Sequence, residues 1–250
     1  GTNVDCFGAS TGSINTTVSG GTIMGNYTFS WSGPNAFNST SENISNIAAG
    51  TYILTVTDDN NCSLTESINI TEPEVVEIGF TTTAVNCFGG NDGTLTANII
   101  TGGTAPFTFQ WNAAANNQAG ATASGLTEGS YTVTVTDGNN CSYSNSSSVS
   151  QPNAPLTLTL DSVDITCAGY NNGEVSVVAQ GGTPNYTYLW NNGATTANID
   201  NLNMGTYSVT ATDANGCSIT ESVNITMDIG LGVMIDKTDV SCYQGNDGTA

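Results

Sequence analysis

Residues 126–141 read LTEGSYTVTVTDGNNC. Tyr131, Val133 and Val135 alternate with Thr132, Thr134 and Thr136, the period-two pattern of a strand with one apolar face and one hydroxyl face. The run then breaks into Asp137-Gly138-Asn139-Asn140, residue types that tolerate the left-handed conformations of a tight hairpin turn, before reaching Cys141. The same sentence is written twice more: IAAGTYILTVTDDNNC at 47–62 and LNMGTYSVTATDANGC at 202–217. A strand, a turn and a cysteine therefore recur as one block.

Working upstream, each block is preceded by Gly-Gly-Thr (20–22, 102–104, 181–183) and by an aromatic strand ending in tryptophan. In the second copy Phe107, Phe109 and Trp111 alternate with Thr108 and Gln110; Tyr27, Phe29, Trp31 and Tyr186, Tyr188, Trp190 repeat the pattern. Before these, Leu95, Ala97 and Ile99 alternate with Thr94, Thr96 and Asn98. A second kind of cysteine opens each copy, with Cys6, Cys87, Cys167 and Cys242 preceding Gly12, Gly93, Gly173 and Gly248 at one fixed spacing. The period is roughly 75–81 residues, the signature of a repeat array. The reading is repeat 1 at 1–73 with its first strand missing, repeat 2 at 74–152, repeat 3 at 153–227, and the start of a fourth, truncated repeat at 228–250. Pro73 and Pro152 mark two boundaries, where proline ends strand pairing, and Met227-Asp228 marks the third.

These patterns predict an all-β chain of tandem immunoglobulin-like β-sandwich repeats arranged as an elongated rod, with about seven strands in each repeat. Trp31, Trp111, Trp190, Tyr52, Tyr131 and Tyr207 lie at inward strand positions and are expected in the cores rather than in a sugar-stacking platform. The recurring Leu/Ile-x-x-Gly-x-Tyr is similar to a tyrosine corner, whose hydroxyl bonds a nearby backbone group.

Composition narrows the function further. The chain has 250 residues, a formal charge of −20, one lysine or arginine in total and no histidine, yet 38% hydrophobic residues, enough to build cores. Without histidine there is no Ser-His-Asp or Cys-His pair and no imidazole metal ligand. With Lys237 as the lone basic side chain, phosphate backbones and anionic lipids are poor partners, and no apolar run approaches the ~18 residues of a membrane span. No acid pair with a pocket recurs as glycoside hydrolysis would require, so the chain reads as non-enzymatic.

Repeat 2 carries the fullest motif: Cys87-Phe88-Gly89, Asp92-Gly93, Gly102 to Trp111, Leu126 to Asp137 and Asn140-Cys141. This combination resembles the SprB-type repeat. Repeat 1 departs mildly, with Ala9-Ser10-Thr11 in place of part of the Gly-Asn-Asp turn and no proline after its Gly-Gly-Thr. The resemblance implies a stalk or filament segment of a giant cell-surface adhesin of gliding Bacteroidota, exported by type IX secretion and moved by the gliding machinery. Its surroundings would be extracellular, and surface polysaccharide or substratum would be its partner. Two other readings stay open: a carbohydrate- or calcium-binding module, and a passive spacer in a large exported enzyme.

The cysteines never form Cys-x-x-Cys, so disulfides in an oxidising compartment are expected rather than zinc. Within-repeat pairing would join Cys6–Cys62, Cys87–Cys141 and Cys167–Cys217. The sandwich topology favours Cys6–Cys141 and Cys87–Cys217 instead, because the two cysteines of one repeat fall at opposite poles, about 20 Å apart or more by strand rise. Cys62, Cys167 and Cys242 are then left for neighbouring repeats, and Phe7, Phe88 and Tyr243 are placed at the junctions. No cofactor is required; the acidic turns at Asp58, Asp92, Asp137 and Asp213, with Asp247 alike, are the calcium candidates. Glu72, Glu74, Glu77, Asp228, Asp236 and Asp239 gather near the boundaries as a second candidate set, against the plainer reading of a solvated acidic surface.

Overall fold

The computed structural model describes residues 1–22, 25–167, 170–227, 236–239, 241 and 243–246. Ala168, Asp228, Cys242, Asp247 and Gly248, and with them most of the fourth repeat, lie outside the described residues. What is described is almost entirely β-structure.

In repeat 2, β-branched and aromatic residues at alternate positions form β7 (Glu77–Thr83), β8 (Gly93–Thr101), β9 (Thr108–Trp111), β10 (Thr122–Leu126), β11 (Gly129–Thr136) and β12 (Ser142–Val149). They pair antiparallel into two three-stranded sheets, ordered β10-β8-β7 and β12-β11-β9. Lettered in chain order this is ABE facing CFG, the strand order of an immunoglobulin-like sandwich without its D strand. Repeat 3 repeats it with β13 (Thr157–Val163), β14 (Gly173–Gln180), β15 (Thr187–Trp190), β16 (Asn198–Leu202), β17 (Gly205–Thr212) and β18 (Ser218–Ile225), in sheets β13-β14-β16 and β15-β17-β18.

Repeat 1 is built from β1 (Gly12–Ile14), β2 (Thr28–Ser32), β3 (Asn38–Ser39), β4 (Ile44–Ile47), β5 (Gly50–Thr57) and β6 (Ser63–Ile70). Its sheets are the two-stranded β1-β4 and the four-stranded β3-β2-β5-β6. Among the described residues each of the three repeats thus has six strands rather than about seven. The stretch after each tryptophan is too short and too rich in Asn and Gly to pair fully. In repeat 2 it folds as a 3-10 turn at Ala113–Ala115, with Asn116 and Asn117 at positive φ.

Each sandwich closes on its own core. Trp31, Trp111 and Trp190 are buried and so are Tyr52 and Tyr131, whereas Tyr207 is half-buried at the rim of its cluster. The indole Nε1 of each tryptophan donates to a carbonyl in the following loop, Ser41, Gly120 and Thr196, at 2.9–3.0 Å. Each tyrosine hydroxyl donates to the carbonyl four residues earlier, Ala48, Thr127 and Asn203, at 2.9–3.1 Å, which is tyrosine-corner geometry. Burial raises the Tyr52 phenol above its ordinary pKa, and the Ala48 bond only partly offsets this.

The chain divides into two compact units, residues 1–85 with 91–150 and residues 86–90 with 151–250, so repeats 1 and 2 share one unit.

Candidate functional site

Two turns recur in every repeat and together make the feature most specific to this chain. The first is the aspartate turn after β5, β11 and β17. Asp137 Oδ1 accepts the backbone N–H of Asn139 and Cys141, and Oδ2 accepts that of Thr104 in the Gly-Gly-Thr loop, at 2.9–3.1 Å. Asp58 does the same with Asn60, Cys62 and Thr22, and Asp213 with Asn215, Cys217 and Thr183, at 2.9–3.0 Å. One carboxylate therefore closes its own hairpin turn and ties it to the loop that precedes the tryptophan strand.

The electrostatics follow from those donors. Burial pushes Asp137 and Asp213 upward, but three or more backbone N–H groups stabilise the anion and the net shift is downward. The more exposed Asp58 is lowered first by the Thr22 N–H and then by that of Cys62. Two of these aspartates are buried, Asp137 at 4% and Asp213 at 5% exposure, and both are held by backbone alone. Sequence reasoning placed these residues as turn formers or calcium ligands and missed this role. The signal was there: the Asp never occurs without its Gly-Gly-Thr.

Asp92 is exposed, in the turn before β8. Among the boundary acids, Glu72 accepts the Gly8 N–H at 2.6 Å and Glu74 accepts the Thr101 hydroxyl at 3.2 Å. Asp236 and Asp239 are exposed, the latter 3.5 Å from Lys237 Nζ. Among the described residues, no three Cys, Asp or Glu side chains converge on one point.

The second feature is the cysteine turn. The N–H three residues after each opening cysteine donates back to its carbonyl, Ala9 to Cys6, Gly90 to Cys87 and Tyr170 to Cys167. Ahead of it, Val4, Val85 and Ile165 are buried and donate to the carbonyls of Thr71, Ser150 and Thr226, which anchors the turn beside the last strand of its own repeat. A side chain from that end holds the turn in two repeats: Glu72 on Gly8, and Gln151 Oε1 on Gly89 at 2.6 Å.

The turns meet in pairs. Cys6 is bonded to Cys141 with Cα atoms 5.6 Å apart, and Cys87 to Cys217 at 5.7 Å. A second bond repeats beside each disulfide: Asn139 Nδ2 donates to the Asp5 carbonyl at 3.2 Å, and Asn215 Nδ2 to the Asn86 carbonyl at 2.8 Å. The opening cysteine of one repeat is thus joined to the closing cysteine of the next. The within-repeat alternatives Cys6–Cys62, Cys87–Cys141 and Cys167–Cys217 are not formed. Gly93, just after Cys87, lies against Leu126 and Val149 at one end of the sandwich, and Cys141 follows the far end of the eight-residue β11, about 25 Å away by strand rise. Cys62 and Cys167 are exposed free thiols. Phe7 and Phe88 are 50% and 45% exposed, so these two aromatics do not fill the junctions beside them. Backbone carbonyls and asparagine amides make the contact instead.

No described helix is long and apolar enough to cross a membrane. No curated protein matches the chain. Among solved structures, the eight N-terminal immunoglobulin domains of Down syndrome cell adhesion molecule are 16% identical, with 80% of this chain and 33% of that one covered at a TM-score of 0.40. The insect immune protein hemolin is 13% identical over 91% of this chain and 73% of that one, with a TM-score of 0.28. Murine CEACAM1b is 12% identical over 61% and 100%, with a TM-score of 0.26. The chain spans a third of the first of these, and the superpositions are loose, so the sandwich assignment rests on strand order and register. The SprB repeat family matches residues 2–36, 79–116 and 159–195. Each match runs from before an opening cysteine to beyond a tryptophan, and the chain accordingly carries three segments, one per repeat, that match the SprB repeat.

Proposed function

We propose that this chain is a non-catalytic, load-bearing stalk segment of a large cell-surface adhesin used in surface attachment and gliding motility. The observation that carries the reading is the interleaving of the two disulfides: 6 with 141 and 87 with 217. Repeat 2 gives its opening cysteine to repeat 3 and its closing cysteine to repeat 1, so it is bonded to both neighbours. Bonds that span 135 and 130 residues add nothing to a catalytic pocket, but they limit how far a pulled chain can lengthen. Disulfides of this kind persist in oxidising compartments, which supports an exported, extracellular setting. Adhesion to surface polysaccharide or substratum, export by type IX secretion and coupling to the gliding machinery belong to the same proposal. They are supported by the kinship to SprB repeats.

Pulling on single molecules tests it. With both bonds intact, tension applied at the two ends crosses from Cys6 to Cys141, runs back to Cys87 and crosses to Cys217. Residues 7–86 and 142–216 stay slack even when unfolded. The oxidised chain is expected to reach less than half the contour length of the reduced chain, at ~3.5 Å per extended residue. Equal contour lengths, or an unfolding force unchanged by reduction, would contradict a load-bearing role.

A further inference from the structure

Asn-Gly pairs occur in the chain at 172–173, 192–193 and 215–216, all in repeat 3. The pair is chemically distinctive, because glycine brings no side chain to keep its nitrogen away from the carbonyl carbon of the asparagine amide. The structure separates the three. Asn172 is held at both ends of its amide, accepting the Thr166 N–H at 3.3 Å and donating to the Thr166 hydroxyl at 2.9 Å. Its glycine is buried in β14 against the Ile225 side chain and the Leu202 carbonyl, away from solvent base. Asn192 Oδ1 accepts the Ala194 N–H at 3.1 Å, which carries the side-chain carbonyl past Gly193, whose own N–H donates to the Trp190 carbonyl at 2.9 Å.

Asn215-Gly216 lies open. Both residues are exposed, Gly216 sits at φ +84°, and a Cβ on it would meet nothing within 4 Å. Asn215 is held through its amide nitrogen, which donates to the Asn86 carbonyl at 2.8 Å beside the Cys87–Cys217 bond. The Gly216 N–H donates to the Asp213 carbonyl at 3.1 Å, near the long end of the ordinary range. The sister turns read Asn60-Asn61 and Asn139-Asn140. Asn61 and Asn140 hold a similar conformation, at φ +62° and +65°, but they set a side chain beside the nitrogen that would attack.

We propose that Asn215 is a site of spontaneous deamidation that loosens the clasp between the cysteine turn at 86–90 and the aspartate turn at 213–217. Solvent base takes the Gly216 amide proton, and that nitrogen bonds to Asn215 Cγ. The Cγ–Nδ2 bond breaks, and the amide nitrogen leaves as ammonia with a proton from water. Water then opens the resulting succinimide at either carbonyl, giving aspartate or isoaspartate, so that amide and water become acid and ammonia. Either product removes the donor to the Asn86 carbonyl, and aspartate sets a carboxylate oxygen against it. Isoaspartate also lengthens the main chain inside the turn whose N–H groups at 215 and 217 bind Asp213. The clasp at Cys87–Cys217 thus ages in one direction, while the one at Cys6–Cys141, with Asn139-Asn140 beside it, is spared. This chemistry is independent of the load-bearing reading.

The test holds the folded, oxidised chain at mildly alkaline pH and follows the peptides that contain residues 139 and 215 by mass spectrometry, with enzymatic methylation of isoaspartate as a second readout. Conversion at Asn215 is expected to run at least tenfold faster than at Asn139. Gly216→Asn supplies the control, since the sister turns carry asparagine there at positive φ and a Cβ has free space. It should bring Asn215 down to the Asn139 rate and leave the thermal midpoint near that of the parent. Asn215→Asp supplies the product directly, and hydrogen exchange at the Cys217 and Gly90 amides should accelerate at least tenfold in it. Conversion at Asn215 no faster than at Asn139, or undiminished in Gly216→Asn, would overturn the site. Unchanged exchange in Asn215→Asp would overturn its effect on the clasp.

Discussion

Repeats 1 and 2 share one hydrogen-bond skeleton but differ in how their cores close. Tyr52 and Tyr131 make the same corner, Trp31 and Trp111 the same loop bond, Asp58 and Asp137 the same three-way tie. All of these bonds join residues within one repeat, so they form whether or not the sandwich is complete. The second strand behaves differently: β8 runs for nine residues and β1 for three. Residues 13–19, SINTTVS, retain some apolar alternation; Ser13 and Ile14 pair with β4, and past them the Thr16 N–H donates to Asn43 Oδ1 at 2.8 Å.

The largest effect expected in this comparison comes from the covalent brace that joins the two repeats. Replacing Cys141 by Ser releases a loop of 135 residues, for which chain entropy predicts a loss of up to about 5 kcal/mol. Denaturant unfolding should show that loss, with amide exchange accelerating in the two repeats that the bond joins. Exchange unchanged in both repeats would mean that the Cys6–Cys141 bond adds no stability.

The aspartate ties come next. Asp137→Ala strands three backbone donors, one of them on the buried Cys141, and is expected to cost about 3 kcal/mol, with the more exposed Asp58→Ala costing less. These ties also set an acid limit. The folded-state pKa of Asp58, Asp137 and Asp213 lies below the unfolded value of about 3.9. The unfolded chain therefore binds protons first as pH falls. The stabilisation is fully present above about pH 4 and is lost as pH drops through the lowered folded-state values. Thermal melts from pH 7 to pH 2 should show a falling midpoint only at the acid end. The fall should be shallower in Asp137→Asn, and an unchanged profile in that variant would remove Asp137 as a source.

Core truncation sharpens the contrast at smaller scale. Val135→Ala empties a fully enclosed position and should cost about 2 kcal/mol, whereas Val56→Ala truncates a half-buried side chain and should cost about 1. Chemical denaturation of the two variants measures the difference, and equal costs would mean that the two valines are equally buried in solution. At the bottom of the scale, Tyr131→Phe and Tyr52→Phe each remove one hydroxyl-to-carbonyl bond and should each cost about 1 kcal/mol. Here equality is the expected result, because the tyrosine corner belongs to the shared skeleton.

Much of this was legible because the repeats are written in local patterns. The alternation in 131–136 and the turn at 137–140 specify a hairpin without reference to anything distant, and β11 and β12 pair in that register from Gly129 with Val149 to Thr136 with Ser142. The sandwich class followed from the inward Trp and Tyr positions. What was less visible depends on partners far apart in the chain. The tie from Asp137 to Thr104 spans three strands, and the short segment after Trp111 folds as a turn at Ala113–Ala115. Phe7 and Phe88 read as junction residues by position, but the Asn139 and Asn215 amides take the junction carbonyls and leave both rings in solvent.

The most direct test of covalent bracing between successive repeats is disulfide mapping of the non-reduced, folded chain by mass spectrometry. Peptides joining Cys6 to Cys141 and Cys87 to Cys217, with Cys62 and Cys167 recovered as free thiols, are the expected result. Peptides joining Cys6 to Cys62 or Cys87 to Cys141 would mean that each repeat is stapled to itself and that tension passes between repeats through the backbone alone.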